Sequence, residues 1–283
     1  MIFFNEKESV SLHLENFKII KSIKSNVQNI MLLLHDSLGK ILIINDEIQH
    51  IEKWQHFYHE AIVHIPLIFI EKPENVLILG GGDLFAAYEV LKYPSIKNIY
   101  LVDHDSEVID LMNTYYPQIR SVLDDKRFHL IIDDARKYIK NTKIKYDLII
   151  NDCFNLNYSY PKQDKPFFDL LGMLLTNNGV CSDLIYRHIF DKENLRKTIK
   201  YLLNEHKTVL SMVVVPEYPG VLHLLSIWGK SKYLCQNLLT SVNKFHLECI
   251  ENKVEFAKLF NPVYINHYLY IPPYIRDIFH ELK

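Results

Sequence analysis

The chain has 283 residues, 48% hydrophobic and 23% charged, enough to bury a sizeable core without disulfide or metal staples and incompatible with disorder as the main state. Lys and Arg number 32 against 34 Asp and Glu, so no global field recruits nucleic acid or an anionic membrane. Glycine is scarce at 8 and aromatic residues reach 12%, which excludes collagenous and flexible-linker classes and gives weight to any glycine cluster.

In chain order, apolar bursts come first, at Val10–Leu14, Phe17–Ile20, Gln28–Leu34 and Lys40–Asn45. Turn signals at Lys24-Ser25-Asn26 and His35-Asp36-Ser37-Leu38-Gly39 separate them, which predicts a small antiparallel β domain over residues 1–52. From Trp54 to Ile65 the spacing becomes helical, with Trp54, Tyr58, Ala61, Ile62 and Ile65 on one side, and Pro66 and Pro73 are expected to close that helix. Residues 53–283 are assigned to a second domain, in which strands and helices alternate. Its predicted elements run Asn75–Leu79, Asp83–Lys92, Asn98–Val102, Glu107–Tyr116, Phe128–Ile132, Ala135–Asn141 and Tyr146–Asn151. Continuous apolar strands such as Val76–Leu79 point to a parallel sheet with helices on both faces. A helix at Pro166–Leu175, a strand at Gly179–Ile185, a helix at Asp191–Asn204 and strands near Val209–Val215 and Val221–Ile227 complete the expected α/β, Rossmann-like fold.

The strand Val76–Leu79 feeds Gly80-Gly81-Gly82-Asp83, where three of the 8 glycines permit a tight turn and close approach of backbone to a ligand. Twenty residues on, the next strand ends in Asp103, a position suited to holding ribose hydroxyls. A third strand ends in Asp133-Asp134-Ala135, where a carboxylate can accept from an adenine amino group, and a fourth delivers Asp152, with Asn155 following. Ligands in open α/β sheets bind beyond the carboxyl ends of the strands, so these positions are expected to share one crevice. The run lacks the GxGxxG spacing of a dinucleotide site and favours an adenosine without phosphates, as in S-adenosylmethionine. An Asp at the mouth of that crevice suits orienting and deprotonating an amine.

These residues carry a resemblance. Over nearly its whole length the chain resembles the spermidine synthase (polyamine aminopropyltransferase) family. Its blocks appear in order as Gln28, Ile43–Gln49, Tyr58-His59-Glu60 with Ile65-Pro66, Gly80–Asp83, Asp103 before Asp105, Asp134-Ala135, Asp152, Tyr218-Pro219, Phe260-Asn261-Pro262 and Ile271-Pro272. The resemblance implies that Gln49, His59, Asp83, Asp103 and Asp134 hold the donor, decarboxylated S-adenosylmethionine, and that Asp152 and Tyr58 activate and position the attacking amine. It also implies a Rossmann-like domain beside a small N-terminal β domain, a homodimer, and methylthioadenosine as by-product.

The departures cluster where the acceptor is expected. Trp54-Gln55 stand where the family carries an Asp-Glu pair, Asn155 replaces a second carboxylate, Leu184 a Gln, and Leu84-Phe85 a glycine pair. His267-Tyr268 replace a pair of alanines. A dicationic diamine left without carboxylates pays desolvation on the order of several kcal/mol, which argues against simple putrescine. Trp54 and Phe85, with Asn155 and Tyr218, are then the expected acceptor contacts, the two rings stacking on an aromatic or nucleobase-like group. The expected reaction moves a 3-aminopropyl group, or a 3-amino-3-carboxypropyl group from S-adenosylmethionine itself, to a larger acceptor such as a peptide–nucleotide natural product of the microcin C kind. Spermidine synthesis from putrescine, methyl transfer and a non-catalytic homologue stay open as alternatives.

No metal is expected: His56 and His59 lie three apart on the predicted helix, but no second pair with ligand spacing follows. The four cysteines form no CxxC pair, and Cys153 is assigned to loop packing. The start lacks the features of a signal peptide and the longest apolar run, near Ile62–Ile70, is too short to span a bilayer, so a cytoplasmic protein that binds neither nucleic acid nor membrane is expected.

Overall fold

The computed structural model describes residues 2–5, 11–153, 165–188, 196–197, 200, 206–218, 221–235, 238–251, 254, 260–261, 264–273 and 277. The predicted helix at 191–204 lies almost wholly outside them, as does Asn155. Strands β1 (Ile2–Asn5) and β2 (Ser11–Leu14) pair antiparallel. Strands β3 (Phe17–Lys24), β4 (Asn29–His35), β5 (Gly39–Ile44) and β6 (Glu47–Ile51) then form a four-stranded antiparallel meander in chain order.

Strand β6 is absent from the sequence-predicted set. The chain reverses at Asn45 and Asp46, which adopt φ of 50° and 66°, the left-handed pair that a two-residue hairpin turn requires. Ile43 then pairs with Ile48 and Leu42 with His50, so Gln49 is the extra residue of a β-bulge. Ile48 and His50 are both buried and Gln49 is exposed. The alternation holds through Ile48, Gln49 and His50 and breaks at Ile51, which is buried next to His50.

The helix expected from Trp54 begins later, as α1 (His56–Leu67), because Trp54 and Gln55 form the preceding turn and donate to the Ile51 carbonyl. It also runs through Pro66 instead of stopping there. The missing proline N–H falls in the last turn, which closes with three-residue bonds from Ile68, Phe69 and Ile70 to Ile65, Pro66 and Leu67, so the proline breaks little.

The large sheet contains β7 (Asn75–Gly80), β8 (Asn98–Asp103), β9 (Phe128–Ile132), β10 (Tyr146–Asp152), β11 (Leu175–His188), β12 (Lys207–Val213) and β13 (Val221–Gly229). Their order is β12-β13-β11-β10-β7-β8-β9. β9 to β11 are parallel and β13 inserts antiparallel between β11 and β12. Along β7, Val76 and Ile78 join the core on one face while Leu77 and Leu79 join the core on the other. Burial on both faces is why that strand reads as an unbroken apolar run. Helix α1 packs against α2 (Phe85–Val90), β10, β11 and β12, and shares one core with Ile30, Leu32 and Leu42 of the small sheet. β7 is flanked by β8 on one side and β10 on the other, so the direction of winding reverses there and a crevice opens beyond the carboxyl ends of these strands. Among the described residues no helix is long and apolar enough to cross a membrane.

A candidate active site at the carboxyl edge of the sheet

The sheet register gathers the acidic positions. Gly80 lies opposite Asp152 across the β7–β10 pair, and Leu79 opposite Val102, one residue before Asp103. The Asp133 N–H donates to the Asp103 carbonyl at 3.0 Å, bringing the end of β9 to the same edge.

The glycines form a cradle that side chains would fill. Gly80 and Gly81 have φ of +80° and +72°, and a Cβ on Gly80 would lie 2.8 Å from Cys153 Cβ. A Cβ on Gly81 would lie 3.3 Å from Asp152 Oδ2, and one on Gly82 would lie 2.9 Å from Asp103 Oδ2. The floor is thus bare backbone with a carboxylate on either side. The turn continues into Leu84, which holds φ 66° although it is not glycine; its fully buried side chain keeps it in a region that costs about 1–3 kcal/mol.

Asp103 and Asp105 separate into two roles. Asp105 caps α3 (Ser106–Tyr115) through the Glu107 N–H and accepts from Ser25 Oγ at 2.7 Å, tying the large sheet to the small one. Asp103 accepts from the Asp105 N–H at 2.9 Å and faces the glycines; burial pushes its carboxyl up. At the neighbouring strand end, Asp134 is exposed and caps α4 (Ala135–Asn141) by accepting from the Lys137 N–H. Asp133 pairs with Lys137 Nζ at 2.9 Å, which holds its carboxyl below the usual range, and Ala135 is buried beneath.

At the centre stands His59 on α1. Its Nδ1 faces the Gln55 carbonyl at 2.8 Å and Gln55 Oε1 at 3.0 Å, and its Nε2 faces Asp83 Oδ2 at 2.9 Å. Both nitrogens therefore meet acceptors, an arrangement that only the doubly protonated ring satisfies. Burial opposes that charge, but the Asp83 carboxylate outweighs it and raises the His59 pKa to about 9. Burial likewise pushes Asp83 up, and the His59 charge outweighs it, holding Asp83 well below the carboxylate range.

Tyr58, the preceding residue, donates its hydroxyl to Asp152 Oδ1. Burial raises Asp152 to about 7; the Tyr58 hydrogen bond pulls it down and the Asp83 charge pushes it further up. Burial also holds the Tyr58 hydroxyl well above its ordinary value, so it remains a donor. The site thus contains an ion pair, His59–Asp83, that is charged at neutral pH, beside a carboxyl poised to exchange a proton near neutrality.

Of the expected acceptor contacts, Phe85 is corrected by its burial. Trp54 is half-buried and packs on the core of the small sheet, against the cluster of Leu14, Leu33, Ile41, Ile43, Ile48 and Ile51. Phe85 is 2% exposed, stacked on His50 with ring centroids 4.7 Å apart and edge-on to Tyr116. The Phe85 ring is enclosed in a packed core and offers no face to a ligand, whereas Trp54 keeps part of its surface exposed. Tyr218 does reach the region: its hydroxyl donates to the Ile48 carbonyl at 2.5 Å, and its charge environment is shared with Tyr58. Gln49 stays exposed on its bulge.

Two residues were missed. His50, next to Gln49, is buried with both ring nitrogens lacking a hydrogen-bond partner, its Nδ1 3.4 Å from Asp83 Oδ2, and burial lowers its pKa. Glu217, next to Tyr218, is buried as well. Nothing in a single sequence marks either as inward-facing except adjacency to a residue already singled out. With His50 counted, His50, His59 and Asp83 bring three potential metal-ligand atoms within 4.8 Å of one another.

Residues 55–238 match the model of the spermine/spermidine synthase domain. Over 97% of its length the chain is 29% identical to a polyamine aminopropyltransferase of Buchnera aphidicola, covering 97% of that protein. It is 33% identical to putrescine N-methyltransferase 2 of Nicotiana attenuata, over 75% of this chain and 58% of that one. The fold superposes on the crystal structure of spermidine synthase from Thermotoga maritima with a TM-score of 0.84 at 22% identity, covering 99% of this chain and 94% of that one.

Proposed function

The chain belongs to the spermine/spermidine synthase family of aminopropyltransferases, and from that premise we propose that it transfers a 3-aminopropyl group from decarboxylated S-adenosylmethionine to an amine. The observation that carries this reading is the buried Tyr58–Asp152 pair, with Asp152 near pKa 7, set against the glycine floor. The residues fit the donor: Gly80, Gly81 and Gly82 leave room that any Cβ would fill, and Asp103 presents a carboxylate to hydroxyl donors. Asp133, Asp134 and Ala135 lie at the adjoining end of β9 for the rest of the nucleoside, and Gln49 on the bulge of β6 is assigned to the donor as well.

The donor supplies a carbon activated by a sulfonium. The new bond forms between the acceptor nitrogen and that carbon as the carbon–sulfur bond breaks. The electron pair stays on sulfur in neutral methylthioadenosine. Asp152 receives the proton that the nitrogen gives up, Tyr58 holds that carboxylate in place, and the His59–Asp83 pair provides a fixed field beside it. A donor retaining its carboxylate would bring a further negative charge among Asp83, Asp103 and Asp152, which favours the decarboxylated form.

Packing of Phe85 into the core removes one of the two rings on which a peptide–nucleotide acceptor was expected to stack, which favours a small amine as the acceptor. A homodimer in the cytoplasm belongs to the same reading. The likeness to a protein named putrescine N-methyltransferase sustains one second reading, methyl transfer from S-adenosylmethionine. Incubation with decarboxylated S-adenosylmethionine and putrescine, with products separated by chromatography, tests the choice. Methylthioadenosine with an aminopropylated amine supports aminopropyl transfer. S-adenosylhomocysteine and a methylated amine, formed when S-adenosylmethionine is supplied, would replace it.

A further inference from the structure

Asp183 on β11 is fully buried, as are Cys181 and Trp228 beside it. It lies opposite Asn151 across the β10–β11 pair, and Asn151 is the residue before Asp152. The Asp183 carboxyl accepts from Asn151 Nδ2 at 2.6 Å, from Trp228 Nε1 on β13 and from the Cys181 thiol at 3.5 Å. Among the described residues no cation pairs with it. Burial pushes its pKa up to about 6 against the pull of those three donors, so it is mostly a carboxylate at pH 7.

A buried carboxylate without a cation is a costly way to hold three strands together, and apolar side chains of similar size serve as well or better. What the carboxylate adds is direction. It can only accept, so the Asn151 amide turns its NH2 toward Asp183 and its oxygen away. That oxygen accepts weakly from the Cys153 thiol, at 3.8 Å. Side chains alternate along a strand, so Asn151 and Cys153 share one side of the end of β10 while Asp152 points to the other. Ile149, Cys181 and Trp228 belong to the core on the Asn151 side. Ile150 belongs to the core shared with α1, and Asp152 continues that face to meet the Tyr58 hydroxyl. The residues before and after Asp152 thus meet behind it through one amide, whose orientation Asp183 dictates.

We propose that Asp183 is a positioning residue for the transfer: by fixing the Asn151 amide behind the end of β10, it aligns the Asp152 carboxyl with the Tyr58 hydroxyl. This rests on Asp152 receiving the proton of the attacking nitrogen, and deepens that reading. No bond is made or broken at Asp183.

The test is a double-mutant cycle with Tyr58→Phe, read as kcat for nucleoside release at pH 7 with saturating donor and putrescine. Asp183→Asn keeps the shape but sets an NH2 against either the Trp228 N–H or the Asn151 NH2. It is expected to lower kcat about fivefold or more, with donor KM within about twofold. In the Tyr58→Phe background the same substitution should cost less than about twofold, because the bond it aligns is already gone. Equal loss in both backgrounds is what mere support of the fold would give, and it overturns the proposal. Titration of the Asp152 carboxyl by carbon-13 NMR is a second readout that needs no turnover. Misalignment weakens the Tyr58 bond and moves that titration to higher pH, whereas loss of the Asp183 charge alone moves it lower. A downward shift, or none, overturns the proposal as well. Asn151→Ala cuts the link while leaving Asp183 its Trp228 and Cys181 donors; it is expected to show the same pattern and serves where Asp183→Asn does not fold. If the nucleoside released proves to be S-adenosylhomocysteine from S-adenosylmethionine, the aminopropyl-transfer reading fails, while the cycle and the titration still decide the role of Asp183.

Discussion

Replacing Tyr58 with Phe removes one hydroxyl and leaves the ring, so it isolates the hydrogen bond that Asp152 accepts. That bond favours the ionised carboxylate, opposing the burial that lifts Asp152 to about 7. A hydrogen bond to a charged group contributes about 1.5–3 kcal/mol, and one pKa unit corresponds to about 1.36 kcal/mol. Without Tyr58 the Asp152 carboxyl is therefore expected to rise by about one to two units. At pH 7 its ionised fraction falls from about one half to between about one tenth and one hundredth, a loss of roughly 5- to 50-fold in rate. The loss is recovered as pH is raised past the new value. The assay is kcat for methylthioadenosine formation from pH 6 to 10 at saturating donor and acceptor, for both enzymes. Ionisation of the acceptor is common to both profiles, so their difference isolates the carboxyl. An ascending limb that stays in place or moves to lower pH would refute the argument, and so would a uniform loss of rate at every pH.

Gly82→Ala places a Cβ 2.9 Å from Asp103 Oδ2 without demanding an unusual backbone, so donor affinity should drop about tenfold or more by calorimetry while the melting temperature holds. Gly80→Ala should instead lower stability by about 1–3 kcal/mol in denaturant titration, since φ of +80° and a contact of 2.8 Å to Cys153 both resist a side chain. His59→Gln tests the central ion pair through pH-dependent stability. The folded His59 pKa of about 9 lies above that of an unfolded histidine, about 6.5, so its contribution is complete below pH 6.5 and disappears as pH rises through 9. Melting temperature of the unsubstituted protein should fall across that window more steeply than that of the variant; parallel curves would contradict the protonated pair.

Much of the framework was legible because it is local. The apolar run Val76–Leu79 followed by three glycines specifies a strand, a tight turn and a helix within a dozen residues, and the strand-end aspartates lie where a parallel sheet must bring them together. Strand β6 lies outside the expected set because its turn is made by Asn45-Asp46 without a glycine, and because Ile51 is buried beside His50, which breaks the alternation that identifies strands. Pro66 was misjudged because a proline in a last turn removes only one bond that three-residue closures can forgo.

By itself the sequence determined the strand–helix alternation from Asn75 to Asn151, the glycine cradle and the chain positions of Asp83, Asp103 and Asp152, since each depends on periodicity and turn chemistry between near neighbours. The tertiary structure alone decided which charges those groups carry and which aromatic rings are available. His59 is an imidazolium because Asp83 reaches it from another element, and Asp152 titrates near neutrality because burial and Asp83 act on it through space. Phe85 belongs to a core because His50 and Tyr116, distant in the chain, pack against it, and Trp54 rests on a small-sheet core that only folding assembles. Desolvation and Coulomb forces depend on distance in space, which residue spacing does not encode.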